Sequence, residues 1–252
     1  MDRREPALTP PSKPASGLAP PHLGRFALEV KAVPEFCRFA MTWRTQGLPK
    51  GDGHPVLVFP GFLAGDALTW PLRRRLTALG YWNAGWRFGT NLGLKPGLLA
   101  QMVHYVKSVH AGQKRKVSLV GWSLGGLYAR EIAKRIPDRV RLVVTLGTPA
   151  ARDLHANNAW RLYERLNDHS VDAPPIETDL MELPPVPVTA ILTPFDGIVA
   201  PGSADIGSGP TWETLTVGGT HIGLAWNADV LRIVADRLAQ PEGAWAPHRS
   251  RL

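Results

Sequence analysis

The sequence predicts one α/β domain: a mostly parallel sheet of about six core strands, with helices on both faces and a small insertion. Three observations carry that prediction. Short apolar runs alternate with amphipathic stretches from residue 54 to residue 239, the pattern of strands joined by crossover helices. The 252 residues are 44% hydrophobic and 20% charged, enough to bury one sizeable core. One of the runs, Val117-Ser118-Leu119-Val120, also leads through Gly121-Trp122-Ser123-Leu124-Gly125 into a helical pattern. That is a strand, a tight turn with a serine at its tip, and a helix.

Residues 1–25 hold six prolines among small and polar residues and are expected to be a disordered tail, because such a segment buries too little apolar surface to offset its ordering entropy. From Phe26 to Thr45 the positions Phe26, Val30, Val33, Phe36, Cys37, Ala40 and Met41 approximate a helical stripe. An N-terminal helical segment over 26–48 follows, with Pro34 expected to kink or divide it. It is read either as a helix packed on the domain, or as an amphipathic element that touches a membrane or guards the active site.

The main domain is expected over 49–241, with a C-terminal tail over 242–252. Its elements are a strand at 54–59, a helix at 68–80, a strand within 81–88, a helix at 97–111 and a strand at 116–122. A helix at 124–136 and a strand at 139–146 come next. A proline-rich stretch with one helix at 158–167 departs from the alternation and suggests a small cap at about 150–185. A strand at 186–193, a strand at 212–217 and a helix at 228–239 complete the pattern.

Composition narrows the function classes. Net charge is +8, yet the only three-residue basic runs are Arg73-Arg74-Arg75 and Lys114-Arg115-Lys116, with no aromatic-interleaved groove for nucleic acid. Attraction to an anionic membrane surface is compatible with that charge. The single cysteine, Cys37, excludes an intrachain disulfide and a cysteine-rich metal site. No apolar run has the length of a transmembrane helix, and residues 1–25 lack a signal-peptide core. A cytoplasmic location is the default expectation.

A serine at such a turn becomes a nucleophile only with a base in reach and a carboxylate to fix that base's tautomer. The strand–turn–helix setting expects them in the chain order serine, acid, histidine. Of the histidines after Ser123, His155 and His169 fall in the insertion and His248 in the tail. His221 follows a strand and precedes the last helix, at the carboxyl end of the sheet where sites in open α/β folds form. Asp196 follows the strand 186–193, whereas Asp179 and Glu182 precede it and Asp205 lies further along the loop. The blander alternatives are a helix N-cap for Ser123, an Asx turn for Asp196 and a loop histidine for His221. Oxyanion donors are expected from the Leu124 N–H and from the loop after the first strand, with Phe62 in Pro60-Gly61-Phe62-Leu63 as the candidate.

Together, Phe59-Pro60-Gly61-Phe62, Gly121-Trp122-Ser123-Leu124-Gly125-Gly126, Asp196-Gly197-Ile198-Val199 and Gly219-Thr220-His221 resemble the α/β-hydrolase superfamily, and more narrowly its bacterial lipase- and esterase-like members. The resemblance spans roughly residues 54–240. It implies the α/β-hydrolase fold, a Ser123–Asp196–His221 triad and acyl transfer. Pro60 and Trp122 stand where many lipases have histidine. No cofactor or metal is implied. The substrate expected is a small-molecule carboxylic ester with an apolar acyl group, cleaved through an acyl-enzyme. An acyltransferase or thioesterase would use the same triad, and a non-catalytic binding protein could retain the bend. Nine tryptophans, among them Trp70, Trp122, Trp160 and Trp226, are candidates for an acyl pocket or for core anchors.

Overall fold

The structure is a computed structural model that describes residues 17–41, 45–149 and 154–248. Most of the expected tail and the first residues of the expected cap lie outside these ranges. Six strands, β1 (Pro55–Phe59), β2 (Trp82–Gly85), β3 (Val117–Trp122), β4 (Val140–Leu146), β5 (Val188–Leu192) and β6 (Trp212–Thr216), form one sheet in the order β2-β1-β3-β4-β5-β6. Every pairing is parallel.

Strand β1 is buried at all five positions, and its side chains alternate between two cores. Val56 and Val58 face a layer containing Leu72, Leu76 and Leu79 of α3 (Asp66–Leu79) and Val230, Leu231 and Val234 of α8 (Ala228–Ala239). Leu57 and Phe59 face Leu99, Met102 and Val106 of α4 (Leu98–Gln113) and Ala129, Ile132 and Ala133 of α5 (Leu124–Arg135). Helices therefore cover both faces, which explains why the strands read as continuous apolar runs. Strand β2 pairs on one side of β1 and β3 on the other, so strand order reverses at β1/β3. In open α/β sheets the crevice beyond such a reversal is where ligands bind.

In register, the carboxyl ends of β1, β3, β4, β5 and β6 lie along one edge of the sheet. That edge carries the loops beginning at Pro60, Ser123, Gly147, Thr193 and Val217. A segment over 154–187, with helix α6 (Trp160–Leu166), rises above it. A short α7 (Pro201–Ala204) follows β5. At the C-terminus the chain folds back: the Ala246 carbonyl accepts from Gln240 Nε2 at 3.0 Å and the His248 N–H donates to Glu213 at 2.5 Å.

The N-terminal segment is helical but inverted relative to its apolar stripe. Helix α1 (Leu23–Ala27) begins inside the stretch expected as a tail and runs through a 3-10 turn (Leu28–Lys31) into α2 (Ala32–Met41). The break falls before Ala32, and Pro34 sits within the first turn of α2, where its missing N–H has no partner to lose. Val30 is 70% exposed, Val33 65% and Met41 81%, while Glu29, Ala32 and Phe39 are buried. Phe36 of the expected stripe does pack, edge-on against Trp226 at 4.9 Å.

Candidate active site

The serine turn is built by close backbone approach. A Cβ on Gly121 would overlap the Gly126 backbone, and one on Gly125 would lie 2.5 Å from the Phe59 carbonyl oxygen. Only glycine lets β1, β3 and α5 meet so tightly. Ser123 itself has φ 52° and ψ −122°, a strained region for a residue with a side chain, costing on the order of 1–3 kcal/mol. The strain is held from both sides: the Ser123 N–H donates to the Leu146 carbonyl at 2.7 Å, and Thr148 Oγ1 donates to the Ser123 carbonyl at 2.8 Å. Ser123 occupies the N-cap position of α5, but its side chain caps no N–H there. Its hydroxyl instead borders a cavity.

The loop after β1 packs onto this turn, with the Cβ position of Gly61 only 3.2 Å from Ser123 Cβ. Buried Asn91 fixes that loop. Its carbonyl accepts from the Leu63 N–H at 2.7 Å, its N–H donates to the Ala64 carbonyl at 2.8 Å, and its Nδ2 donates to the Pro60 carbonyl at 2.9 Å. The Leu63 N–H is thereby consumed. The Phe62 and Leu124 N–H groups have no acceptor among the described residues, and Leu124 opens α5, where the helix dipole favours negative charge.

Asp196 and His221 come together. His221 Nδ1–H donates to Asp196 Oδ2 at 2.6 Å, with both side chains 2% exposed. This contact assigns the proton to Nδ1 and leaves Nε2 as an acceptor. The Asx-turn reading of Asp196 also holds, since Oδ1 accepts from the Ile198 and Val199 N–H groups at 2.9 and 2.7 Å. One carboxylate thus shapes its own turn with one oxygen and meets the imidazole with the other. Burial pulls the His221 pKa down, but the Asp196 and Glu29 carboxylates outweigh it, so the imidazole titrates above its usual value. Among the described residues no hydrogen bond joins Ser123 to His221. The two flank Gly147, whose Cβ position would be 2.9 Å from His221 Nδ1, and Trp122 Nε1 donates to the His221 carbonyl at 3.2 Å.

The competing candidates lie elsewhere. His155 stacks edge-on against Trp160 at 4.7 Å, and His169 shares a hydrogen bond with the Tyr163 hydroxyl at 2.9 Å, both in the cap. His248 is near Asp236 at 3.5 Å. Asp205 and Asp179 each accept an N–H two residues ahead, both at 2.8 Å.

An apolar cavity of about 110 Å³ adjoins Ser123 and Leu124, with Phe62, Leu127, Trp160 and Tyr163 among its walls. Hydrogen bonds tie the cap to the elements around it. Asn167 Nδ2 donates to the Leu92 carbonyl at 2.9 Å, Lys95 Nζ to the Leu166 carbonyl at 2.6 Å, and Thr178 Oγ1 to buried Glu131 at 2.6 Å. Of the tryptophans considered, only Trp160 reaches the cavity. Trp122 and Trp226 pack together at 6.2 Å in the core, and Trp70 lies half-exposed under the Arg74 guanidinium.

Two features had no sequence signal. Glu29 and Glu35, from the N-terminal segment, contact the Asp196 and His221 loops. A second Ser–His–Asp relay also occupies the opposite, amino end of the sheet. His54 Nδ1 meets Asp52 Oδ1 at 2.5 Å and His54 Nε2 meets Ser118 Oγ at 2.8 Å. His54 and Ser118 are fully buried, and Ser118 lies inside β3 rather than at a strand-to-helix turn. This relay ties β1 to β3 and, through Arg141, to Asp52 at 2.9 Å and to the Gln240 carbonyl.

A parallel six-stranded sheet, reversed in order at β1/β3 and bent there at a strained serine, decides the architecture. The chain has the α/β-hydrolase fold. A family model described as a PGAP1-like alpha/beta domain matches residues 88–198, which include the serine turn and Asp196. Among solved α/β-hydrolase structures, the chain is similar to that from a study of LipS and LipT, two metagenome-derived lipolytic enzymes. That match has 18% identity and TM-score 0.52, over 75% of this chain and 93% of the other. A monoacylglycerol lipase from Paleococcus ferrophilus matches at 15% identity and TM-score 0.53, over 76% of this chain and 96% of the other. Lipase B from Aspergillus fumigatus matches at 18% identity and TM-score 0.53, over 82% of this chain but 57% of its own. No curated protein sequence matches.

Proposed function

We propose that this protein is a carboxylic ester hydrolase that works through Ser123, His221 and Asp196. The observation that carries the proposal is the buried His221–Asp196 pair beside a strained, cavity-facing serine. His221 Nε2 takes the Ser123 proton as Oγ attacks the ester carbonyl, and Asp196 holds the imidazole in the Nδ1–H tautomer and stabilises the imidazolium. The free Phe62 and Leu124 N–H groups receive the oxyanion. His221 then protonates the departing alcohol, and water activated by the same ring releases the acid from Ser123. The proposed mechanism requires a Ser123–His221 hydrogen bond in the substrate complex, where catalytic hydrogen bonds tighten.

The cavity supports a short or compact acyl group. Its volume of about 110 Å³ is below the 150 Å³ or so of an engineered apolar cavity that holds benzene. Purified protein is expected to cleave p-nitrophenyl acetate and butyrate faster than the palmitate, and Ser123→Ala to abolish turnover and fluorophosphonate labelling. Equal rates for wild type and Ser123→Ala would overturn the proposal. Including an alcohol acceptor and a thioester in the same panel separates hydrolase from acyltransferase and thioesterase.

The N-terminal segment supports a peripheral contact with an anionic lipid surface. Its only two acidic residues, Glu29 and Glu35, turn inward. The outward side keeps Leu23, Val30, Val33 and Met41 exposed beside Lys31. Among the described residues no helix is long and apolar enough to cross a membrane. Co-sedimentation with phosphatidylglycerol vesicles, lost in Val30→Asp/Val33→Asp, is the expected outcome; equal sedimentation of that variant and wild type would refute the contact.

A further inference from the structure

The proposed relay depends on two loops that the sheet alone does not lock together: the turn after β5 carrying Asp196 and the turn after β6 carrying His221. Thr193 Oγ1 joins them directly by donating to the Gly219 carbonyl at 2.7 Å, and one carboxylate from outside the sheet bridges them again. Glu29 Oε1 accepts from the Gly197 N–H at 2.9 Å and from the His221 N–H at 3.0 Å, and Oε2 accepts from the Ile222 N–H at 2.9 Å. Glu29 is 6% exposed, so these three charge-assisted bonds are shielded from water. Six residues along, Glu35 accepts from the Thr220 N–H at 3.2 Å and from Thr220 Oγ1 at 2.6 Å. The close fit recurs at Gly197, whose Cβ would collide with the Arg25 backbone.

Between Leu23 and Met41, only Glu29, Ala32 and Phe39 are buried. Apolar burial of Ala32 and Phe39 in the core and the carboxylate-to-amide bonds of Glu29 and Glu35 together seat this segment.

We infer that Glu29 is a positioning residue for the relay, and that the N-terminal segment is a strap whose carboxylates, together with the Thr193–Gly219 bond, set the spacing of the Asp196 and His221 turns. Glu29 touches neither substrate nor the reacting atoms; it acts through the backbone on either side of the acid–base pair. The inference rests on the hydrolase reading above for its kinetic consequence, but not for its structural one. The charged groups facing His221 are Asp196 from the turn after β5, Glu29 from the strap and, one residue away, Glu35 from α2.

Glu29→Gln keeps the size but places an amide N–H₂ against at least one of the three N–H donors. It also removes a negative charge that raises the His221 pKa. In the full chain, kcat for p-nitrophenyl butyrate is expected to fall at least about tenfold while KM moves little. The acid limb of the kcat profile should shift to lower pH, because the base then loses its proton at lower pH. Glu29→Asp retains charge but is one methylene short, so it should leave the acid limb near its wild-type position while still lowering kcat. Two readouts do not depend on turnover: the His221 ring pKa from ¹⁵N NMR, and hydrogen exchange at the Gly197, His221 and Ile222 amides.

Wild-type activity together with an unchanged kcat, acid limb and ring pKa in Glu29→Gln would overturn the strap. An inactive wild type in which Glu29→Gln still lowers the ring pKa and speeds amide exchange would leave the strap standing and remove the hydrolase reading. If Glu29→Gln does not fold, Glu29→Asp carries the test, and an unaltered kcat with unaltered amide exchange overturns the inference.

Discussion

Lowering the pH from 7 toward 4.5 should strip stability from this protein chiefly through His54, at the end of the sheet away from the candidate site. Burial holds the His54 pKa down, and the Arg141 guanidinium 3.2 Å from Nδ1 adds to this, although Asp52 pulls the other way; the imidazole titrates at about 4 instead of 6.5. The folded protein keeps His54 neutral over a range in which the unfolded chain has already taken up a proton. The unfolded state therefore binds more protons between these values, and stability rises with pH. The contribution is complete above pH 6.5 and is lost progressively as pH falls toward 4. At about 1.4 kcal/mol per pH unit, the interval corresponds to about 3 kcal/mol at most. Urea unfolding at pH 7.5, 6.5, 5.5 and 4.5 measures it. His54→Gln should be less stable than wild type at pH 7.5 yet nearly flat between pH 6.5 and 5, before Asp52 and the other carboxylates titrate. Parallel slopes for the two proteins would refute the reasoning.

Asp196→Asn should keep the turn, because one side-chain oxygen can still accept from Ile198 and Val199. It would present N–H₂ to the imidazole, force the wrong tautomer and lower kcat by about 10⁴; a loss below tenfold in a folded variant would contradict the relay. Gly126→Ala drives a methyl group into the Thr148 side chain and breaks its bond to the Ser123 carbonyl. It should cost about 1–3 kcal/mol in urea unfolding and also slow acylation by fluorophosphonate. Trp160→Ala opens the wall of the cavity, so hexanoate and octanoate esters should gain relative to acetate, measured as kcat/KM ratios. Ser118→Ala should leave labelling at Ser123 intact while lowering stability, since Ser118 is buried in a bond to His54. Lost labelling in that variant would assign chemistry to the wrong end of the sheet.

Most of the sheet was legible because its strands are buried on both faces and so announce themselves as β-branched runs such as Val117–Val120 and Val140–Leu146. Ser123, Asp196 and His221 could be singled out because each sits one short turn beyond a strand end, where order along the chain maps onto position along the sheet edge. The N-terminal segment misled for a physical reason. Hydrophobic periodicity finds the buried face of a helix only when apolar contact alone seats it, and here two glutamates point inward to satisfy loop N–H groups as much as 193 residues away. No local pattern encodes such a partner. The same holds for Asn91, whose three bonds to the loop after β1 connect stretches that are unrelated in sequence. The His54–Ser118 relay went unseen because its members lie within ordinary strand patterns and meet only when β1 and β3 pair.

The strap also orders events in time. Glu29 is made early, whereas its partners at His221 and Ile222 come 192 and 193 residues later. At a synthesis rate of roughly 5–20 residues per second, that delay is about 10–40 s. During it the sheet through β4, with Ser123 on its bend, can emerge and pair before the acid's turn is made, and the base's turn comes last. Closing the strap is therefore among the last steps of folding, and a chain interrupted before Thr220 would carry the serine without its relay.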